Sequence, residues 1–156
     1  AEVSSMTFHN GQGTVVSTFF TGKPMKVVVG YSAVQPVDDV VFEVFFYSPD
    51  GHMHCQFTTE YGDSKIELRP GSGTVNFFTP GLSLLPDVYY VDVVIKRRGA
   101  PAGSGIDWRP HCATIRVDPY KLVRGSFYQY HEWQFSRTKA KVWRDPRQGS
   151  INDSNW

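Results

Sequence analysis

At 156 residues, 40% of them hydrophobic and 20% charged, the chain suits one domain with a continuous core and excludes disorder as its default state. Sixteen basic against fifteen acidic residues leave a net charge of +1, so bulk charge does not imply a nucleic-acid partner. No apolar run approaches the roughly 18 residues of a membrane span, no signal-peptide pattern follows Ala1, and the chain reads as a soluble domain excised from a longer protein.

Helical periodicity is nearly absent, whereas Val-, Phe- and Tyr-rich runs recur between Gly, Pro and Asp punctuation. This pattern predicts strands over 3–9, 14–20, 25–34, 40–47, 52–59, 73–79, 88–97, 111–117 and 125–135, an all-β antiparallel sandwich spanning 1–136. In VVFEVFFYS the alternation puts Phe42, Val44 and Phe46 inward and Val41, Glu43, Phe45 and Tyr47 outward, where two exposed rings call for a covering partner. SPDG at 48–51 predicts a hairpin turn, with Pro49 fixing φ and Gly51 accepting a positive one.

In the following strand His52 and His54 share a face, but Cys55 points the other way, and no zinc-ligand spacing closes a metal site. With Cys112, Cys55 gives too few cysteines for a disulfide framework, and reduced, buried thiols are expected. Asp38, Asp39, Asp50, Glu60 and Asp63 fall at strand ends, where solvation is the reading preferred to a calcium site. GQGT and GSGT lack the Lys-Ser/Thr of a phosphate loop, and no nucleophile elbow occurs, so neither a catalytic residue nor a cofactor is assigned.

DVYYVDVVIKRR places Tyr89, Val91, Val93 and Ile95 in the core and Tyr90, Asp92, Val94 and Lys96 outside. GAPAGSG at 99–105 is a loop of small residues leading to Trp108, a ring placed to act as lid or plug. HCATIRV sends Ala113, Ile115 and Val117 inward and Cys112, Thr114 and Arg116 outward. GSFYQYHEWQF, 125–135, predicts core anchors in Phe127, Trp133 and Phe135, with Tyr128 and Tyr130 suited either to packing at an interface or to a sugar platform. Residues 137–156 form a basic tail carrying Arg137, Lys139, Lys141, Arg144 and Arg147, of unassigned role.

The order of FFTGKPMKVVVGYSA, VDDVVFEVFFYSPDG, LRPGSGTVNFFTPGLSLLPDVYYVDVVI and GSFYQYHEW resembles the C-terminal carbohydrate-binding domain of Wzt-type subunits of O-antigen ABC transporters. Asp87 stands where that family usually carries Gly in its L-x-P-G-x-Y turn. The resemblance implies an immunoglobulin-like sandwich and a homodimer that exchanges the C-terminal strand. It further implies a cytoplasmic, non-catalytic module at the inner membrane, working with the transporter's nucleotide-binding and transmembrane parts. Its ligand would be the non-reducing end of a bacterial O-antigen polysaccharide.

Sugar binding needs flat apolar surface beside planar polar groups. If the strands at 40–47, 88–97 and 111–117 are neighbours, Glu43, Phe45, Tyr90, Asp92, Thr114 and Arg116 line one such surface, with Tyr128 and Tyr130 as further candidates. The plainer alternative is an ion-pair ladder of Glu43, Asp92 and Arg116 on the face of an adhesive or structural domain, its rings covered by a loop or second subunit. A glycosidase would need two carboxylates in a cleft, and Glu43 with Asp92 on an open sheet makes a poor pair.

Overall fold

The computed structural model describes residues 1–101 and 103–137. Two sheets pack face to face. The smaller has the order β1-β3-β7, from β1 (Glu2–His9), β3 (Met25–Ala33) and β7 (Gly71–Thr79). The larger runs β2-β9-β8-β4-β5, from β2 (Thr18–Phe20), β4 (Val37–Tyr47), β5 (Met53–Thr58), β8 (Asp87–Arg97) and β9 (Asp107–Asp118), with β6 (Ile66–Leu68) pairing the start of β4. Most pairings are antiparallel, but β2 runs parallel to β9, so the larger sheet is mixed rather than antiparallel throughout.

Alternation sets the core. Phe42, Val44 and Phe46 from β4 and Tyr89, Val91, Val93 and Ile95 from β8 are buried, facing Val27 and Val29 of the opposite sheet. Burying one such side chain contributes roughly 1.5–3 kcal/mol. Aromatic contacts bridge the layers: Tyr31 to Phe42 at 5.6 Å, Phe57 to Phe77 at 6.0 Å and Phe8 to Phe19 at 6.4 Å between ring centroids. Ile115 and Val117 close the core from β9, while Ala113 is half-buried.

The 48–51 turn forms as its residues require, with Gly51 N donating to Ser48 O at 2.9 Å and Gly51 at φ 84°. Three expectations are corrected. Cys55 is half-buried and Cys112 exposed, both free thiols rather than buried ones, because β5 is the edge strand of its sheet and Cys112 has the outward parity of β9. Val41, although on the outer face, is fully buried, which shows that face to be covered at one end.

The third correction concerns 125–135, which forms no strand in the single chain. Phe127, Trp133 and Phe135 are 62%, 82% and 78% exposed rather than core anchors. Among the described residues the core takes Leu82, Leu84 and Val117 at this end and none of these three rings. Of the basic tail, Lys139, Lys141, Arg144 and Arg147 lie outside the described residues.

Candidate functional site

The outer face of the larger sheet is a grid whose rows are fixed by strand register. Phe45 of β4 pairs with Gln56 of β5 and Asp92 of β8, and Glu43 pairs with Thr58 and Val94, which in turn faces Trp108 of β9. Lys96 pairs with Val41 in the next row, and Tyr47 with Tyr90 in the row before. Cross-strand partners share a face, so rings, carboxylates, an amide and an ammonium converge. The loop after β8, with Pro101, Gly103 and Gly105, rises beside them and completes a hollow of about 450 Å³.

A β-bulge determines what reaches this hollow. Between Val91↔Ala113 and Val93↔Arg109, β9 carries two more residues than β8, and His111 takes a left-handed φ of 49°. Asp92 holds this distortion: its Oδ1 accepts from His111 N at 2.8 Å and its Oδ2 from Trp108 Nε1 at 3.3 Å. The bulge moves Trp108 into register with Val94, where its ring walls the hollow. Trp108, expected beside the loop as lid or plug, stands at the start of β9 as a wall of the hollow.

The polar members form a chain. Gln56 Nε2 donates to Glu43 Oε1 at 3.0 Å, Lys96 Nζ contacts the same oxygen at 3.0 Å, and Lys96 Nζ also reaches Glu60 Oε2 at 3.0 Å. With Glu43 only 5% exposed, this pairing and hydrogen bonding make its ionised burial tolerable. The hydrogen bond from Lys96 holds Glu60 below the usual carboxylate range. Burial disfavours the Lys96 ammonium, but the two carboxylates outweigh it and push its ionisation up. Arg98 donates to Asp39 Oδ1 at 2.9 Å and to the Glu60 carbonyl, tying the base of the loop to the site.

A second hollow of about 380 Å³ lies alongside and shares Tyr47, Asp92 and Trp108 with the first. Tyr90 lines it, its ring edge-on to His111 at 4.0 Å between centroids. Burial, then the Asp92 charge, raises the Tyr47 phenol's ionisation above its ordinary value.

Of the residues expected at one surface, Glu43, Phe45 and Asp92 line the first hollow and Tyr90 the second. Thr114 faces Tyr90 from β9 but lines neither. Arg116 sits opposite Val88, further along the sheet, its Nε engaged by Asp118 Oδ1 at 2.6 Å. A ladder of Glu43, Asp92 and Arg116 is thus not formed, since each has a different partner. Tyr128 and Tyr130 pack elsewhere, over Gly22 and Gly81 at the turns that flank Leu82. Gln56, Glu60, Lys96 and Trp108 were not among the expected site residues. The outward parity of Lys96 was the available signal for one of them.

The sequence model of one protein family, the Wzt C-terminal domain, matches residues 1–128. No curated protein matches the chain. Among solved structures, a crystal structure of the C-terminal domain of Wzt is similar at 13% identity and TM-score 0.64, covering 87% of this chain and 83% of that one. A β-glucosidase from Listeria innocua in complex with gluconolactone is similar at 14% identity and TM-score 0.42, over 76% of this chain and 17% of that one. At these identities the first is a likeness of fold.

Proposed function

Since the chain belongs to the Wzt C-terminal domain family, we propose that it is the non-catalytic module that recognises the non-reducing end of a bacterial O-antigen polysaccharide, coupling chain completion to ABC-transporter export. Family membership supports a carbohydrate-binding role in O-antigen transport generally. The observation that carries the reading to a site is the hollow between Trp108 and Phe45, floored by the Gln56–Glu43–Lys96–Glu60 chain. Rings offer a surface for the C–H face of a pyranose, and a fixed polar chain offers hydroxyl partners already oriented. The adjoining hollow lined by Tyr90 gives a second sugar residue a place to lie.

In this reading the module works in the cytoplasm beside the transporter's nucleotide-binding and transmembrane parts, as a homodimer that exchanges segment 125–135. Catalysis is not invoked. Glu43 is engaged by Gln56 and Lys96, and Asp92 by His111 and Trp108, so neither is disposed as a free acid or base.

Calorimetric titration with polysaccharide from the producing cell tests the site. Trp108→Ala and Phe45→Ala are each expected to weaken binding at least about ten-fold, ~1.4 kcal/mol, with circular dichroism unchanged. Arg116→Ala is expected to stay within about two-fold, because its side chain lies outside both hollows. Undiminished affinity in folded Trp108→Ala and Phe45→Ala places the site elsewhere. A chain that ignores glycans altogether is an interaction domain instead.

A further inference from the structure

Resting on the carbohydrate reading above, we propose that the hollow beside the 98–105 loop selects an uncharged glycan end and discriminates against one bearing phosphate or carboxylate. Three carboxylates, Glu43, Glu60 and Asp92, line it against one ammonium, Lys96, a formal charge of −2. The ammonium is already committed, with Nζ 3.0 Å from both Glu43 Oε1 and Glu60 Oε2. An incoming anion would have to break that arrangement to reach it, leaving a shielded carboxylate without its counter-charge.

The neighbouring cations are committed as well. Arg98 is held by Asp39 and the Glu60 carbonyl, and Arg109 by Asp107 at 2.9 Å and Glu2 at 3.7 Å. Arg116, the residue best suited by type to grip an anion, is paired to Asp118 and lines neither hollow. In a hollow partly closed to water, like charges are screened less than on an open surface, so the excess of carboxylates acts on whatever enters.

The same groups suit hydroxyls. Among the described residues, Gln56 Nε2 and Lys96 Nζ both meet Glu43 at Oε1, leaving its Oε2 to accept from a sugar O–H. A hydroxyl donating to a carboxylate makes a strong, charge-assisted bond, whereas an ionised phosphate or carboxylate oxygen in that place only accepts. The apolar wall of Phe45, Val94 and Trp108 rewards a ring face without charge.

The test is an array of bacterial O-polysaccharide fragments in matched sets: uncharged ends, the same ends phosphorylated, and the same ends oxidised to uronic acids. The full chain is expected to bind members of the uncharged set, with their anionic counterparts at least about ten-fold weaker. A difference of less than about five-fold, or preference for the anionic ends, overturns this proposal and leaves the carbohydrate reading standing. Binding to no fragment in any set, with the fold intact by circular dichroism, overturns both.

Discussion

Asp92 is the residue on which the geometry of the candidate site turns. It is 8% exposed, yet its two oxygens serve a backbone N–H at His111 and the indole of Trp108, fixing a bulge and a ring together. Removing the carboxylate takes the charged acceptor from two part-buried hydrogen bonds, and a bond to a charged group contributes about 1.5–3 kcal/mol. Asp92→Ala is therefore expected to lower the unfolding free energy by ~2–4 kcal/mol in urea denaturation, and to weaken glycan binding through Trp108. A stability loss below ~1 kcal/mol would show that solvent replaces the carboxylate at both donors. The outward parity of Asp92 was legible from DVYYVDVV, but its partners were not: 16 and 19 residues separate it from them.

At the scale of elements, the entry to β8 is set by a side chain reaching back to the backbone. Tyr89 OH donates to Leu85 O at 2.6 Å, four residues upstream, a tie of the tyrosine-corner kind. Asp87 fits between them without the glycine expected from the resemblance, because its φ is not positive, and its carboxylate accepts from Val88 N at 2.7 Å. Burial first, then the Asp87 charge, pushes Tyr89 ionisation up from 10.0 to about 12. The folded state thus keeps a proton that the unfolded chain releases above pH 10, so this contribution is whole below pH 10 and is lost as pH rises toward 12. Tyr89→Phe should cost ~1–2 kcal/mol at neutral pH, and the gap from the parent should narrow between pH 10 and 12. Parallel stability curves across that interval would rule out the linkage.

For the whole molecule, the segment after β9 carries the unresolved weight of assembly. Phe127, Trp133 and Phe135 stand exposed, while Tyr128 N donates to Ser83 O at 2.8 Å and anchors the segment's start. Apolar surface of this kind on one strand-length segment fits delivery to a partner's sheet. Light scattering at micromolar concentration should return a dimer, and a chain ending at Arg124 a folded monomer, since among the described residues every buried hydrophobic one precedes that point. A strictly monomeric full chain would remove the exchange from the proposed function.

The sequence by itself determined the faces. Phe42, Val44 and Phe46, with Tyr89, Val91, Val93 and Ile95, are buried where alternation puts them, because a strand's period of two is local to each run. Alternation also put Glu43, Phe45, Asp92 and Lys96 on one side of the larger sheet. Only the tertiary structure decided which outward residues meet. A two-residue excess in β9 sets Trp108 opposite Val94 and leaves Arg116 opposite Val88, and a loop brings Glu60 to Lys96. Such offsets between distant strands come from bulges and loop paths, which no local period encodes. The aromatic segment 125–135 has strand-like composition but puts none of Phe127, Trp133 and Phe135 into its own core, and which residues the core takes is decided by the assembled sheets alone.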